Sequence, residues 1–349
     1  MCFEKQLTII IPTYNRPERL INQVKSIVND PDYGKVSLRV TDNHSSYDIK
    51  KALKDALTKE QFNSIDLVVR PTNIGLGLNI SLPFIECNSR WIWILGDDDR
   101  FVGELSQVLA DIKTYKDFSF IKYNISNGRR NDEVIVSSID EFLGYYTDWH
   151  PTGDMIFISN ALFNLEALES FKQKAIIYNQ TLVGHMIPLV AALCDGKATC
   201  KFRDYDLVEY QSAPTGTNYE TLWVTMGIAN VGDIKFVEDY SKNKRIHELF
   251  QWDVKPAIMV DAIMQSRGRG FRYYCYKRIV SVFYSRIGRG RVSCALLFHS
   301  SNLFNINFAR LIIRDKNKRI ALFRKHLKGV ALFLQEKNPR LYYKIIRYI

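Results

Sequence analysis

Four short apolar runs, each ending in a polar loop, organise the front of the chain: residues 7–11, 36–41, 65–70 and 91–95. Between them, residues 17–29, 47–58 and 76–86 carry helix-compatible patterns. Pro17 suits a first helical turn, with Asn15 placed to cap its free N–H groups. Nearly all-apolar strands separated by helices predict an α/β fold with a mainly parallel sheet flanked by helices on both faces. Further on, residues 118–124 and 155–159 read as strands, 161–171 and 182–193 as helices, and 202–210 as a strand. The polar stretch 231–246 is the best boundary. It divides an α/β domain, 1–240, from a mostly helical segment, 241–349.

In parallel sheets ligands bind at the carboxyl ends of the strands, so the residues that follow each strand matter most. Pro12-Thr13-Tyr14-Asn15-Arg16 follows the first, Asp42-Asn43-His44-Ser45-Ser46 the second, Pro71-Thr72-Asn73-Ile74-Gly75 the third and Gly96-Asp97-Asp98-Asp99 the fourth. Adjacent carboxylates repel one another near a buried strand unless a cation balances them. Mg²⁺ or Mn²⁺ commonly takes one or two carboxylates while bridging substrate phosphates. An isolated GDDD is as well explained by a solvated turn. Four polar strand ends side by side favour the metal–phosphate reading. Asp42 could accept a base N–H or a ribose hydroxyl, and Gly75 permits close approach to a ligand.

Composition changes the picture little at the front and much at the back. Hydrophobic content of 46% and charged content of 24% are those of a globular chain. The six cysteines form no CxxC pair and read as reduced thiols of a cytoplasmic protein. No run approaches the ~18 apolar residues of a membrane span, and residues 7–11 are too short for a signal peptide. The catalytic fold is therefore expected to begin almost at residue 1. The net charge of +11 is uneven. From Lys255 onward there are 21 Lys and Arg against three acids, and before it 27 against 34.

Within that basic tail Ile320, Phe323, Leu327, Val330 and Leu334 recur at helical spacing among lysines and arginines. The pattern suits an anionic membrane surface, hence a peripheral position at the inner face. Packing on the front domain is the alternative. Nucleic acid is disfavoured: no helix-turn-helix, zinc-ligand or RRM-type signature is present.

In order and spacing LTIIIPTYNRPERL (from Leu7), TDNHSS (from Thr41), NIGLGLN (from Asn73) and WIWILGDDD (from Trp91) resemble the motifs of family-2 glycosyltransferases of the A-type fold. That resemblance implies an inverting, metal-dependent transfer of sugar from a nucleotide-sugar donor to a saccharide or lipid-linked acceptor, as in bacterial-type surface polysaccharide assembly. It implies that Pro12, Thr13, Tyr14 and Asn15 line the nucleotide, that Asp42 binds the base, and that Asn73 and Gly75 lie along it. Many members read D-x-D-D where Gly96 stands first here, which leaves Asp98 and Asp99 as metal ligands and Asp97 beside the nucleotide. Leu78 stands where an arginine often contacts phosphate. The family's catalytic Glu-Asp pair is replaced by Gly184-His185, eleven residues (from His185) before Gly196, so His185 is the expected base. Asp154 is the alternative base or an acceptor ligand. A sugar-phosphate nucleotidyltransferase is the rival enzyme, but it would normally open with a Gly-rich, Arg-containing loop. A non-catalytic polyanion binder is the rival from another class.

Overall fold

The computed structural model describes residues 6–128, 131–147, 152–211, 227 and 230–251. Residues 1–215 and 230–253 group into one compact unit, and 216–229 with 254–349 into a second. The amphipathic stripe from Ile320 to Leu334 lies outside the described residues.

The first unit begins β1 (Leu7–Thr13), α1 (Pro17–Val28), β2 (Ser37–Asp42), α2 (Ile49–Ala56), α3 (Lys59–Asn63), β3 (Ile65–Val69). There follow α4 (Leu76–Ser81), α5 (Pro83–Glu86), β4 (Trp91–Ile94), β5 (Arg100–Phe101), α6 (Leu105–Thr114) and β6 (Phe120–Ile125). Then come β7 (Ile135–Val136), α7 (Ile139–Thr147), α8 (Thr152–Ile156), β8 (Ala161–Asn164), α9 (Lys174–Ile177), α10 (Ile187–Cys194), β9 (Cys200–Glu209) and α11 (Tyr240–Gln251).

The strands form one sheet in the order β3-β2-β1-β4-β8-β6-β9-β5, with β7 on β9. The half from β3 to β4 is parallel throughout, as the apolar runs require. β8 then enters antiparallel to both β4 and β6, so the whole sheet is mixed rather than mainly parallel. The sequence pattern predicts a helix over residues 161–171. Their first four are instead a fully buried strand, ALFN. Burial on both faces decides the matter there, because helical propensity is weaker than the packing offered between two sheet strands. The buried Asn164 side chain donates to Lys116 O at 2.9 Å and Phe118 O at 2.8 Å, which ends the strand in place. Conversely, residues 155 and 156 end helix α8, and 157–159 form no strand.

The core lies between the sheet and α1, α2 and α6. Ile9, Ile11, Trp91, Trp93 and Leu95 are fully buried there with Leu20, Val24 and Leu105. α11 joins this unit through Lys242 Nζ, 2.6 Å from Asp140 Oδ2 on α7. No helix among the described residues is long and apolar enough to cross a membrane.

Candidate active site

The four polar loops meet at the carboxyl ends of β1, β2, β3 and β4, and side chains tie each to its neighbour. Asn15 adopts a left-handed backbone with φ of 56°, which asparagine tolerates better than most residues. Its Oδ1 accepts from Ser46 N at 2.7 Å, and its own N–H donates to Ser45 Oγ at 2.8 Å, joining loops one and two. Asp42 is buried at the end of β2, where Oδ1 accepts from Ser45 Oγ at 2.5 Å and from Ser45 N at 3.1 Å. Loops two and three join where Asn43 Nδ2 donates to Asn73 Oδ1 at 3.0 Å, and Asn43 Oδ1 accepts from Ile74 N at 2.9 Å. Asn73 Oδ1 also accepts from Gly75 N at 2.8 Å. Gly75 has φ of 83°, a conformation that a Cβ would strain, and opens α4. Pro12 and Tyr14 lie on the same rim, with Tyr14 45% exposed.

The fourth loop is the most charged. Asp97 is buried; its Oδ2 accepts from Thr13 Oγ1 at 2.7 Å and its Oδ1 from Arg16 Nη1 at 3.0 Å. Asp98 is partly exposed and accepts from the same Arg16 nitrogen at 2.7 Å. Asp99 is buried and takes a 2.5 Å hydrogen bond from Ser159 Oγ. Burial, with the charges of Asp98 and Asp97 adding, pushes its carboxyl up to about 7 against the pull of Ser159 and the Gln211 backbone. Burial likewise raises Asp97, opposed by Thr13 and Arg16.

A point beside the Gly96 Cα shows what this loop suits. Where a Cβ would stand, Asp98 Oδ1 is 2.9 Å away, Asp99 Oδ2 3.0 Å and Ser159 Oγ 3.1 Å. Two carboxylate oxygens and a hydroxyl thus crowd a space that only glycine leaves open. This all-oxygen set fits Mg²⁺ or Mn²⁺. Among the described residues no three carboxylate, imidazole or thiol groups form a closed metal set. Two carboxylates are what these ions commonly use when phosphates and water complete the shell.

Segment 156–160 links the acidic loop to the two candidate bases. Ser159 Oγ accepts from Gly96 N at 2.9 Å, and Trp93 Nε1 donates to Ser159 O at 2.6 Å. His185 Nε2 donates to Ile156 O at 3.0 Å, while Nδ1 is buried without a partner. Burial lowers His185 to about 4, with the Ile156 bond opposing and the charge of Lys122 adding. Its ring is edge-on to Phe163, centroids 6.3 Å apart. Lys122 is fully buried and donates to Phe157 O at 2.8 Å and Asn160 Oδ1 at 2.6 Å. Burial lowers it to about 8 against the charge of Asp154. Asp154 itself is half-buried on α8.

The four strand-end loops of the sequence reading are therefore one cluster, and His185 lies behind segment 156–160. Arg16, Ser159 and Lys122 join the site beyond the residues that the sequence motifs point to. Arg16 sits within a quoted motif, but Ser159 is 60 residues from its partner Asp99, and nothing local marks it.

Residues 8–171 match the family model described as Glycosyl transferase family 2. No curated protein matches the chain. Among solved structures, S. aureus TarS 1–349 in complex with UDP-GlcNAc superposes with a TM-score of 0.51 at 10% identity, covering 83% of each chain. A second S. aureus TarS structure gives 0.47 at 13% identity; the match covers 82% of this chain but only 55% of that one. The mannosyltransferase PcManGT from Pyrobaculum calidifontis, in complex with GDP-Man and Mn²⁺, gives 0.46 at 12% identity over 93% and 88% of the two chains.

Proposed function

From the match of residues 8–171 to the glycosyltransferase family 2 model, we propose that the chain moves a sugar from a nucleoside-diphosphate donor to a hydroxyl of a saccharide or lipid-linked acceptor, with inversion. The observation that carries this reading is the convergence of Asp98, Asp99 and Ser159 around Gly96, at the mouth shared by four polar loops.

Pro12, Thr13, Tyr14, Asn15, Asp42, Asn73 and Gly75 line the nucleotide, with Asp97 bracing the loop through Thr13. Asp98 and Asp99 would hold a divalent cation, which would supply charge neutralisation for the departing diphosphate. Asp154 is the better-seated base. It is half-buried, whereas His185 is buried and has its Nε2–H committed to Ile156 O. Asp154 takes the acceptor proton, the acceptor oxygen bonds to the anomeric carbon, and the bond from that carbon to the diphosphate oxygen breaks. His185 holds Ile156 and with it the segment that Ser159 fastens to Asp99.

The basic tail supports a peripheral position at the inner membrane face and a role in surface polysaccharide assembly, where lipid-linked acceptors lie. A thermal-shift screen of UDP-, dTDP-, GDP- and CDP-sugars with Mn²⁺ tests the reading. Stabilisation by one donor class, lost with EDTA, is expected. No response to any donor would sink it, and donor binding without nucleoside-diphosphate release on adding acceptor would favour a non-catalytic binder.

A further inference from the structure

The acidic loop already carries a cation. A single nitrogen, Arg16 Nη1, lies 3.0 Å from Asp97 Oδ1 and 2.7 Å from Asp98 Oδ2. Asp98 therefore faces two ways: Oδ2 is held by Arg16 while Oδ1 crowds the space beside Gly96 with Asp99. Arg16 is the residue that precedes α1, and its own side chain caps nothing there. Its side chain is 37% exposed, so it can leave the loop without unpacking the core.

Resting on the reading of Asp98 and Asp99 as the metal–diphosphate site, we infer that Arg16 is a two-position residue, held on Asp97 and Asp98 before nucleotide binds and transferred to the donor's diphosphate when it does. The metal ion and Arg16 compete for Asp98, because two cations on one carboxylate repel. A diphosphate changes the balance. Its oxygens accept from a guanidinium in the planar, two-pronged manner that suits arginine. It also adds negative charge that tolerates both cations. The consequence is an order of assembly: the metal enters with the nucleotide, and metal alone is held back.

Titration of the full-length protein with Mn²⁺, following the loss of the free-ion EPR signal, tests this without relying on turnover. In the absence of nucleotide, Arg16→Gln is expected to bind Mn²⁺ about tenfold more tightly than wild type. Arg16→Lys, which keeps the charge, should stay near wild type. With saturating nucleoside diphosphate (the tightest of UDP, dTDP, GDP and CDP) the order reverses, and Arg16→Gln holds Mn²⁺ and nucleotide more weakly. If wild type binds Mn²⁺ with nucleotide but Arg16→Gln gains nothing without it, the inference falls and the metal site stands. If wild type takes up no Mn²⁺ even with nucleotide, the metal reading falls and the inference with it.

Discussion

Gly96 is where the chemistry of the site is most exposed to a single atom. A methyl group there would lie 2.9 Å from Asp98 Oδ1 and 3.0 Å from Asp99 Oδ2, closer than a carbon and a carboxylate oxygen normally approach. Gly96→Ala should therefore splay the two carboxylates. We expect Mn²⁺–nucleotide affinity, measured by calorimetry, to fall at least about tenfold, as when a ligand's support is lost. His185 makes a different kind of statement. Its folded pKa of about 4 lies below the ~6.5 of an unfolded histidine. Its contribution to stability is thus complete above about pH 6.5 and is lost as pH falls toward 4, at a cost on the order of 2–3 kcal/mol. His185→Gln should flatten the fall in urea stability between pH 7 and 5. The same variant should keep most of its turnover at neutral pH, whereas Asp154→Asn should lose nearly all of it. Near-normal turnover by Asp154→Asn would return the base to His185.

At the scale of elements, segment 156–160 acts as the joint of the site. Within five residues its backbone and side chains meet His185, Lys122, Asp99, Gly96 and Trp93. Ser159→Ala removes both the donor to Asp99 and the acceptor for Gly96 N. A ten- to hundredfold loss of metal affinity is expected, the usual effect of deleting a residue that orients a ligand. Unchanged affinity would mean that Asp99 orients itself. The joint was hidden from the sequence. Alternation of short strand-like runs and helices made β1, β2, β3 and β4 legible because each carries apolar residues at buried or half-buried positions and each ends in a recognisable loop. ALFN lacked that signal: four residues are too few for a period, and the burial that makes them a strand comes from β4 and β6. Asp97 to Asp99 were legible as an acidic loop, while Arg16 and Ser159 act on them from 60 or more residues away.

For the molecule as a whole, charge separates the chain's two parts. The near-neutral front carries the loops and the acidic site, and from Lys255 onward basic residues outnumber acidic ones 21 to three. If that tail meets an anionic bilayer, the full-length protein should float with vesicles containing phosphatidylglycerol, and raising salt toward 0.5 M should release much of it by screening. Flotation with neutral vesicles alone, or none with either, would count against a charged membrane contact. The central claim, however, is that Asp98 and Asp99 bind a metal ion together with a nucleotide-sugar diphosphate. Calorimetric titration of the donor selected by thermal shift, with Mn²⁺ or with EDTA, into wild type and Asp99→Asn tests it most directly. We expect binding by wild type in Mn²⁺, and at least tenfold weaker binding both in EDTA and in the variant. Equal affinity in all four titrations would contradict the account.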